Sequence, residues 1–296
     1  MQQHSPLFRS YEYIVFAFFG YTSVLSLVLP LRSPAPAVTI GLNALVLGGL
    51  ALLAYADSFR RTEFLSIVRD WYAPPLVLLA YREMGWFAQP HLSAALENSW
   101  IVWDRLLLND WGFRYVIEAL GPVGPGLLEI AYLFVYAMAP FGIAALYIFN
   151  KRERVEALLF NFMLAVLTVY ALFPYFPSEP PWTVFPGQDF PAYDTIFRQF
   201  NAWMLHGQGI HTSVFPSAHV AGAMSVAFAL IRLLPEKKWV GRGWLVLAIL
   251  IATATVYCRY HYTADAVAGF AIALLATGIS IWREKRCALR ALSSTS

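Results

Sequence analysis

Charged residues are scarce in this chain. Asp, Glu, Lys and Arg make up 13% of it, about half the roughly one quarter found in soluble domains. Set against 59% hydrophobic residues, that deficit excludes an ordinary soluble domain and places the chain in the membrane class. Basic residues exceed acidic ones by only three and are dispersed between apolar runs, which leaves no clustered patch for nucleic acid. Cysteine is nearly absent: Cys258 and Cys287 stand in no metal or redox spacing. A disulfide framework and a zinc site therefore drop out, and neither metal nor other cofactor is expected. The first ten residues lack the basic, apolar and small-residue succession of a cleavable signal, so the first apolar run is expected to stay in the bilayer. Internal repeats and low-complexity tracts are missing as well.

What is there is a series of apolar runs with short polar punctuation. About 20 apolar residues cross a hydrocarbon layer of roughly 30 Å, and the runs at 13–31, 37–56, 125–149, 155–173, 214–234, 244–259 and 262–282 are of that order. The first two are divided by a turn around Arg32, Pro34 and Pro36. A weaker run at 71–87 is broken by Pro74 and Pro75 and carries Arg82 and Glu83; it reads as a short span or as a re-entrant segment. The stretch 89–124 mixes Glu97, Asp104, Arg105, Asp110, Arg114 and Glu118 with aromatic and aliphatic residues and reads as interfacial. Segment 174–213 is too polar to cross. The expectation is an all-α integral membrane protein, a bundle of about six to eight transmembrane helices. Spans and interfacial segments over 1–124 precede a catalytic core over 125–296, the two forming one integrated membrane domain.

Basic residues near span ends are retained in the cytoplasm. With the N-terminus inside and all eight segments crossing, 15 of the 21 Lys and Arg residues fall on the inner side. Both termini are then cytoplasmic.

Ionisable residues at the ends of membrane spans are costly and so stand out as functional candidates. One such stretch is Phe215-Pro216-Ser217-Ala218-His219, where Ser217 is placed to cap a helix whose start is a ready anion site. The other is Arg259-Tyr260-His261-Tyr262-Thr263-Ala264-Asp265, in which His261 and Asp265, four residues apart, share a helix face. The chain runs inward from Val214, turns at the basic loop around Lys237 and climbs back to Arg259, so His219 and His261 are expected at similar depth on the outer side. Two imidazoles and a carboxylate are what phosphoryl transfer without metal requires: one ring attacks phosphorus, the carboxylate fixes its tautomer, and the second ring protonates the leaving oxygen. Asp265 has a second reading, as the ion-pair partner of Arg259. Arg259 itself reads as a phosphate ligand or as an interfacial anchor, and Trp182 as a wall of the site or as part of the aromatic belt. His206 and His211 read as solvated loop residues, and Asp104, Arg105, Arg69 and Asp70 as interfacial charges.

Pro216-Ser217-Ala218-His219 and His261-Tyr262-Thr263-Ala264-Asp265 resemble the second and third signature motifs of the phosphatidate phosphatase type 2 superfamily. The stretch Phe173-Pro174-Tyr175-Phe176-Pro177-Ser178-Glu179-Pro180-Pro181-Trp182 resembles the Pro-Pro-Trp segment of its inositol phosphorylceramide synthase branch, and Arg69-Asp70 followed by Tyr81-Arg82-Glu83 is similar to that branch too. The resemblance implies a six-helix core and an extracytoplasmic site. It implies that His261 is the nucleophile, Asp265 its orienting partner and His219 the general acid. Two departures favour the synthase-like branch: the Lys and Arg motif that precedes the second signature in the phosphatases is missing, and Thr255 stands where they carry an Arg, six residues before the third-motif His.

The function expected on these grounds is transfer of a phospho-headgroup, such as phosphoinositol, from a phospholipid donor to a lipid alcohol. Ser217, Arg259 and Trp182 are the candidates for holding the substrate. The alternative is a lipid-phosphate or polyprenyl-diphosphate phosphatase of the same superfamily. A lipid transporter predicts broken helices in two symmetric halves, and no such symmetry is present in the sequence.

Overall fold

The computed structural model describes residues 6–31, 34–88, 93–210 and 212–293, which leaves Arg32 and His211 outside the described residues. Within them the regular structure is helical, with one isolated bridge between Ser178 and Ser213. The elements in order are α1 (Ser10–Val28), α2 (Ala35–Arg60), α3 (Glu63–Trp71), α4 (Ala73–Phe87), α5 (Ala95–Arg105), α6 (Phe113–Glu118), α7 (Val123–Leu133), α8 (Met138–Ile148), α9 (Val155–Leu172), the single turn α10 (Pro181–Val184), α11 (Ile196–Gln208), α12 (Ala218–Leu233), α13 (Lys238–Tyr257) and α14 (Thr263–Ser293). A short 3-10 turn joins α7 to α8, so that Val123–Ile148 is one stretch. Among the described residues six helical stretches are long and apolar enough to cross a membrane: Ser10–Val28, Ala35–Arg60, Val123–Ile148, Arg152–Tyr175, Pro235–Tyr257 and Thr263–Leu289.

Two expected runs differ from that set. α4 has 15 residues and α12 has 16, about 22 and 24 Å at 1.5 Å per residue. In α4, Pro74 and Pro75 start the helix instead of breaking it, because the first helical positions have no use for an N–H. α12 is short because Ser217 caps it, its hydroxyl accepting from the Val220 N–H.

α12 occupies the middle of the bundle, packed against α13, α14, α9 and α8. Its sequence explains this. Ala221, Gly222, Ala223, Ala227 and Ala229 are all buried, and small residues let helix backbones approach where lipid supplies no hydrophobic drive. Neighbouring helices reciprocate with glycine at the two ends of α12. A Cβ on Gly241 of α13 would stand 2.6 Å from Ile231 Cα, and one on Gly269 of α14 would stand 2.4 Å from the Ser217 carbonyl oxygen.

The end of the bundle at Arg154 and Leu233 is locked by ion pairs. Arg69, buried, meets Glu12 at 2.6 Å and Asp57 at 2.8 Å. Asp70 accepts from Arg9, Arg152 and Tyr147, and Arg232 pairs with Glu284 at 2.6 Å. Arg69 and Asp70, which read from the sequence as interfacial charges, are thus buried struts between helices. Networks of this kind specify an arrangement more than they stabilise it.

Gly269→Ala is expected to force α12 and α14 apart. Overpacking of this sort costs about 1–3 kcal/mol. Melting in detergent should fall accordingly, whereas Gly278→Ala, on the same helix with open space around it, should leave melting unchanged.

Candidate active site

Two helix starts meet at the other end of the bundle. The Ser217 N–H donates to the Asp265 carbonyl at 3.0 Å, tying the entry of α12 to the first turn of α14, and Gly269 lets the two backbones close. His219, in the first turn of α12, and His261, just before α14, are thereby brought face to face. His219 Nδ1 lies 3.1 Å from His261 Nε2.

A line of four side chains results. Asp265 Oδ2 is 3.2 Å from His261 Nδ1 and also accepts from the Tyr262 N–H at 3.0 Å. Beyond the two rings, the Tyr132 hydroxyl lies 3.2 Å from His219 Nε2, and its ring stacks on that imidazole. An ionised Asp265 can only accept, so it selects the tautomer of His261 with the proton on Nδ1 and the lone pair on Nε2. The same logic puts a proton on His219 Nδ1.

Asp265 therefore pairs with His261, and the alternative partnership with Arg259 is not what the structure holds. Arg259 pairs with Asp104 of α5 instead, Nη1 to Oδ2 at 2.7 Å, both side chains excluded from solvent. Its backbone explains its position. At the end of α13 the Tyr260 N–H donates to the Thr255 carbonyl and the Arg259 N–H to that of Val256, a helix stop whose left-handed corner is normally glycine. Arg259 takes that corner at φ 69°, at a cost of about 1–2 kcal/mol. Burial pushes the Asp104 carboxyl up, opposed by the Arg259 charge. Arg259 Nε and Nη2 are buried with no acceptor among the described residues.

A cavity of ≈ 50 Å³ opens beside the histidines, walled by Tyr81, Tyr132, Phe173, Trp182, Ala218 and Tyr260 among others. Trp182 thus stands on the wall, its ring 4.9 Å from that of His206 on α11. Ser217 and Arg259 do not line this cavity, and the Ser217 hydroxyl is engaged in the helix cap. Of the first N–H groups of α12, those of Val220 and Ala221 are taken by Ser217. Those of Ala218 and His219, both at the wall, have no acceptor among the described residues. Such groups bind anions. The described residues contain no cluster of His, Cys, Asp and Glu able to hold a metal ion.

Three contributors lie outside the motifs. Tyr132 orients His219. Glu129, buried on α7, accepts from Tyr260 and Asn201 at 2.7 Å and from Arg198 at 3.4 Å, and so fixes Tyr260 and α11 over the site. Asp104 is the third. The sequence signal for it was the recurrence of Glu97, Trp100 and Asp104 on one face of an interfacial helix.

A family described as the PAP2 superfamily matches residues 100–279, a longer stretch than the motifs themselves. The chain is 25% identical over 128 residues to a PA-phosphatase related-family protein of Dictyostelium discoideum. That alignment covers 41% of this chain and 22% of the relative, so the chain spans only about a fifth of the relative's length. Among solved structures it is similar to the first transmembrane PAP2 type phosphatidylglycerolphosphate phosphatase from Bacillus subtilis, at 16% identity and a TM-score of 0.40, covering 73% of this chain and 97% of that one.

Burial pushes the His261 imidazole down to about 4, so the ring is neutral at physiological pH. In the unfolded chain it takes up a proton near 6.5, and between those values protonation favours unfolding. Thermal stability in detergent is expected to be level above about pH 7 and to decline as pH is lowered towards 4. His261→Asn should remove part of that decline, which pH-resolved melting curves of the two proteins would reveal.

Proposed function

Because the chain belongs to the PAP2 superfamily, we propose that it is a metal-independent membrane phosphotransferase in which His261 takes a phospho-headgroup from a phospholipid and passes it to a lipid hydroxyl. The observation that carries this reading is the directional line Asp265, His261, His219, Tyr132, which leaves the lone pair of His261 Nε2 facing the one N–H able to protonate a leaving group.

The steps follow from that line. Substrate phosphate parts the two rings, and its negative charge favours uptake of one proton from water by His219, which then carries two, Nε2–H donating to the Tyr132 oxygen and Nδ1–H to the bridging oxygen of the lipid. His261 Nε2 attacks phosphorus, the bond from phosphorus to that oxygen breaks, and the Nδ1 proton of His219 goes to the departing alkoxide. Asp265 balances the charge on the phosphorylated ring. The neutral His219 next takes the proton of an acceptor hydroxyl as its oxygen attacks phosphorus, and the electron pair of the breaking N–P bond returns to His261. The N–H groups of Ala218 and His219, at the cavity wall, hold the equatorial oxygens, and Arg259, which stands behind that wall with Nε and Nη2 buried and without an acceptor among the described residues, reaches them once the phosphate has parted the rings. Trp182 seats the lipid. The inward bias of basic residues supports a site on the extracytoplasmic side, with both termini cytoplasmic.

The aromatic wall of the cavity and the Pro-Pro-Trp segment within it support a lipid acceptor, because they keep water from the phosphohistidine. One observation favours water instead. The cavity of ≈ 50 Å³ has room for a few water molecules at roughly 10–15 Å³ each, which suits a bare phosphate monoester, and the name of the Dictyostelium relative agrees with a phosphatase.

Purified protein incubated with headgroup-labelled phospholipid, with and without a ceramide-like alcohol, distinguishes the two: label on the alcohol marks the transferase, free phosphate from a lipid phosphate the phosphatase. His261→Ala is expected to abolish turnover, and retained activity in a folded variant defeats the mechanism. His219→Ala should slow the lipid substrate by about 10²–10⁴-fold and an activated aryl phosphate far less; equal slowing of both counts against the acid role.

A further inference from the structure

α5 touches all three segments of the candidate site with one face. Glu97 Oε1 accepts from the Glu179 N–H at 3.1 Å, in the Pro-Pro-Trp stretch. One turn on, the Trp100 ring stacks on Phe215 at 5.1 Å and leans on Tyr262 at 5.5 Å, so it bridges the two histidine motifs. A further turn on, Asp104 accepts from Arg259 Nη1 and from the Thr263 N–H, each at 2.7 Å. The opposite face of the helix carries Val102 and Trp103, both exposed, as an interfacial helix requires.

We infer that Asp104 is a positioning residue for the proposed reaction: its carboxylate fixes the guanidinium of Arg259 and the first N–H of α14, and through them sets where phosphate and His261 meet. This rests on the reading of Arg259 as a phosphate ligand. Asp104 Oδ1 and Oδ2 divide their work between the residue two before His261 and the residue two after it, so the segment carrying the imidazole is clamped on both sides. A guanidinium presents a rigid fork of donors. Asp104 occupies one nitrogen, and Nε and Nη2, buried without an acceptor among the described residues, remain for the oxygens of one anion. The left-handed backbone at Arg259 points the same way, because a corner that glycine would occupy without strain carries instead a long side chain that reaches Asp104 of α5. A buried ion pair adds little net stability over an apolar pair of the same size. Its use here is to hold direction.

The test is a double-mutant cycle on the full chain in detergent, with Asp104→Asn, Arg259→Gln and the pair combined. Orthovanadate, a five-coordinate stand-in for the phosphoryl group, serves as the binding probe beside lipid turnover. Each single substitution is expected to lower kcat/KM and vanadate affinity by about 10–100-fold, the range of losses when an outer residue that orients a ligand is removed. The double variant should be no worse than Arg259→Gln alone. Losses that multiply overturn the inference, as does an Asp104→Asn protein with wild-type vanadate affinity. Should Asp104→Asn fail to fold, Asp104→Glu keeps the charge while displacing the guanidinium. It is expected to melt as wild type does and to bind vanadate about tenfold more weakly; unchanged affinity overturns the inference. Activity retained by His261→Ala would defeat the phosphohistidine reading separately, because the cycle is judged by its own non-additivity.

Discussion

The whole arrangement depends on two helix starts being held against each other inside a hydrocarbon layer. A bilayer offers no water to unpaired backbone groups, so the entry of α12 and the entry of α14 satisfy one another: the Ser217 N–H is spent on the Asp265 carbonyl. Gly269 makes the approach possible by having no side chain where the Ser217 carbonyl sits. Once those backbones are joined, the side chains they carry have little freedom. His219 and His261 come within hydrogen-bond distance although 42 residues separate them, and Asp265 is placed to orient one ring as Tyr132 orients the other.

Around this joint the protein distributes its few charges in two layers. One end of the bundle is bound by Arg69, Asp70, Arg9 and Arg152, which join α1, α2 and α3 to the turn between α8 and α9. The other end places Asp104, Arg259, Glu129 and Arg198 around the histidine pair. Between them the helices meet through small and apolar residues, chiefly along α12. Polar groups buried at these ends are expensive unless paired, and the pairing fixes the relative height of helices that lipid alone would leave free to slide.

Much of this was legible in the sequence. Apolar run length identifies most spans because a helix must be long enough to cross, and the i, i+4 spacing of His261 and Asp265 by itself puts them on one face. Ser217 announced its cap by residue type. The misreadings have physical causes too. Pro74 and Pro75 looked like breakers, yet proline at the first turn of a helix removes only an N–H that has no partner. Asp104 reads as an interfacial charge because its partners, Arg259 and the Thr263 N–H, lie more than 150 residues away; its place on one face with Glu97 and Trp100 marks the helix side that packs inward but does not name the partner. Tyr132 was invisible for the same reason: one tyrosine in a chain with 16 is distinguished only by the ring it stacks upon.

The direct hydrogen bond between the two imidazoles bears on how such a protein is made. A pocket built to receive a phosphate would ordinarily confront the membrane, during insertion and helix assembly, with donors that have nothing to bind. Here the two rings serve as each other's partner, neutral donor to neutral acceptor. The two imidazoles can therefore travel through a nonpolar medium as a closed, uncharged couple, and in the proposed reaction they part only when an arriving anion offers each ring something better than its neighbour.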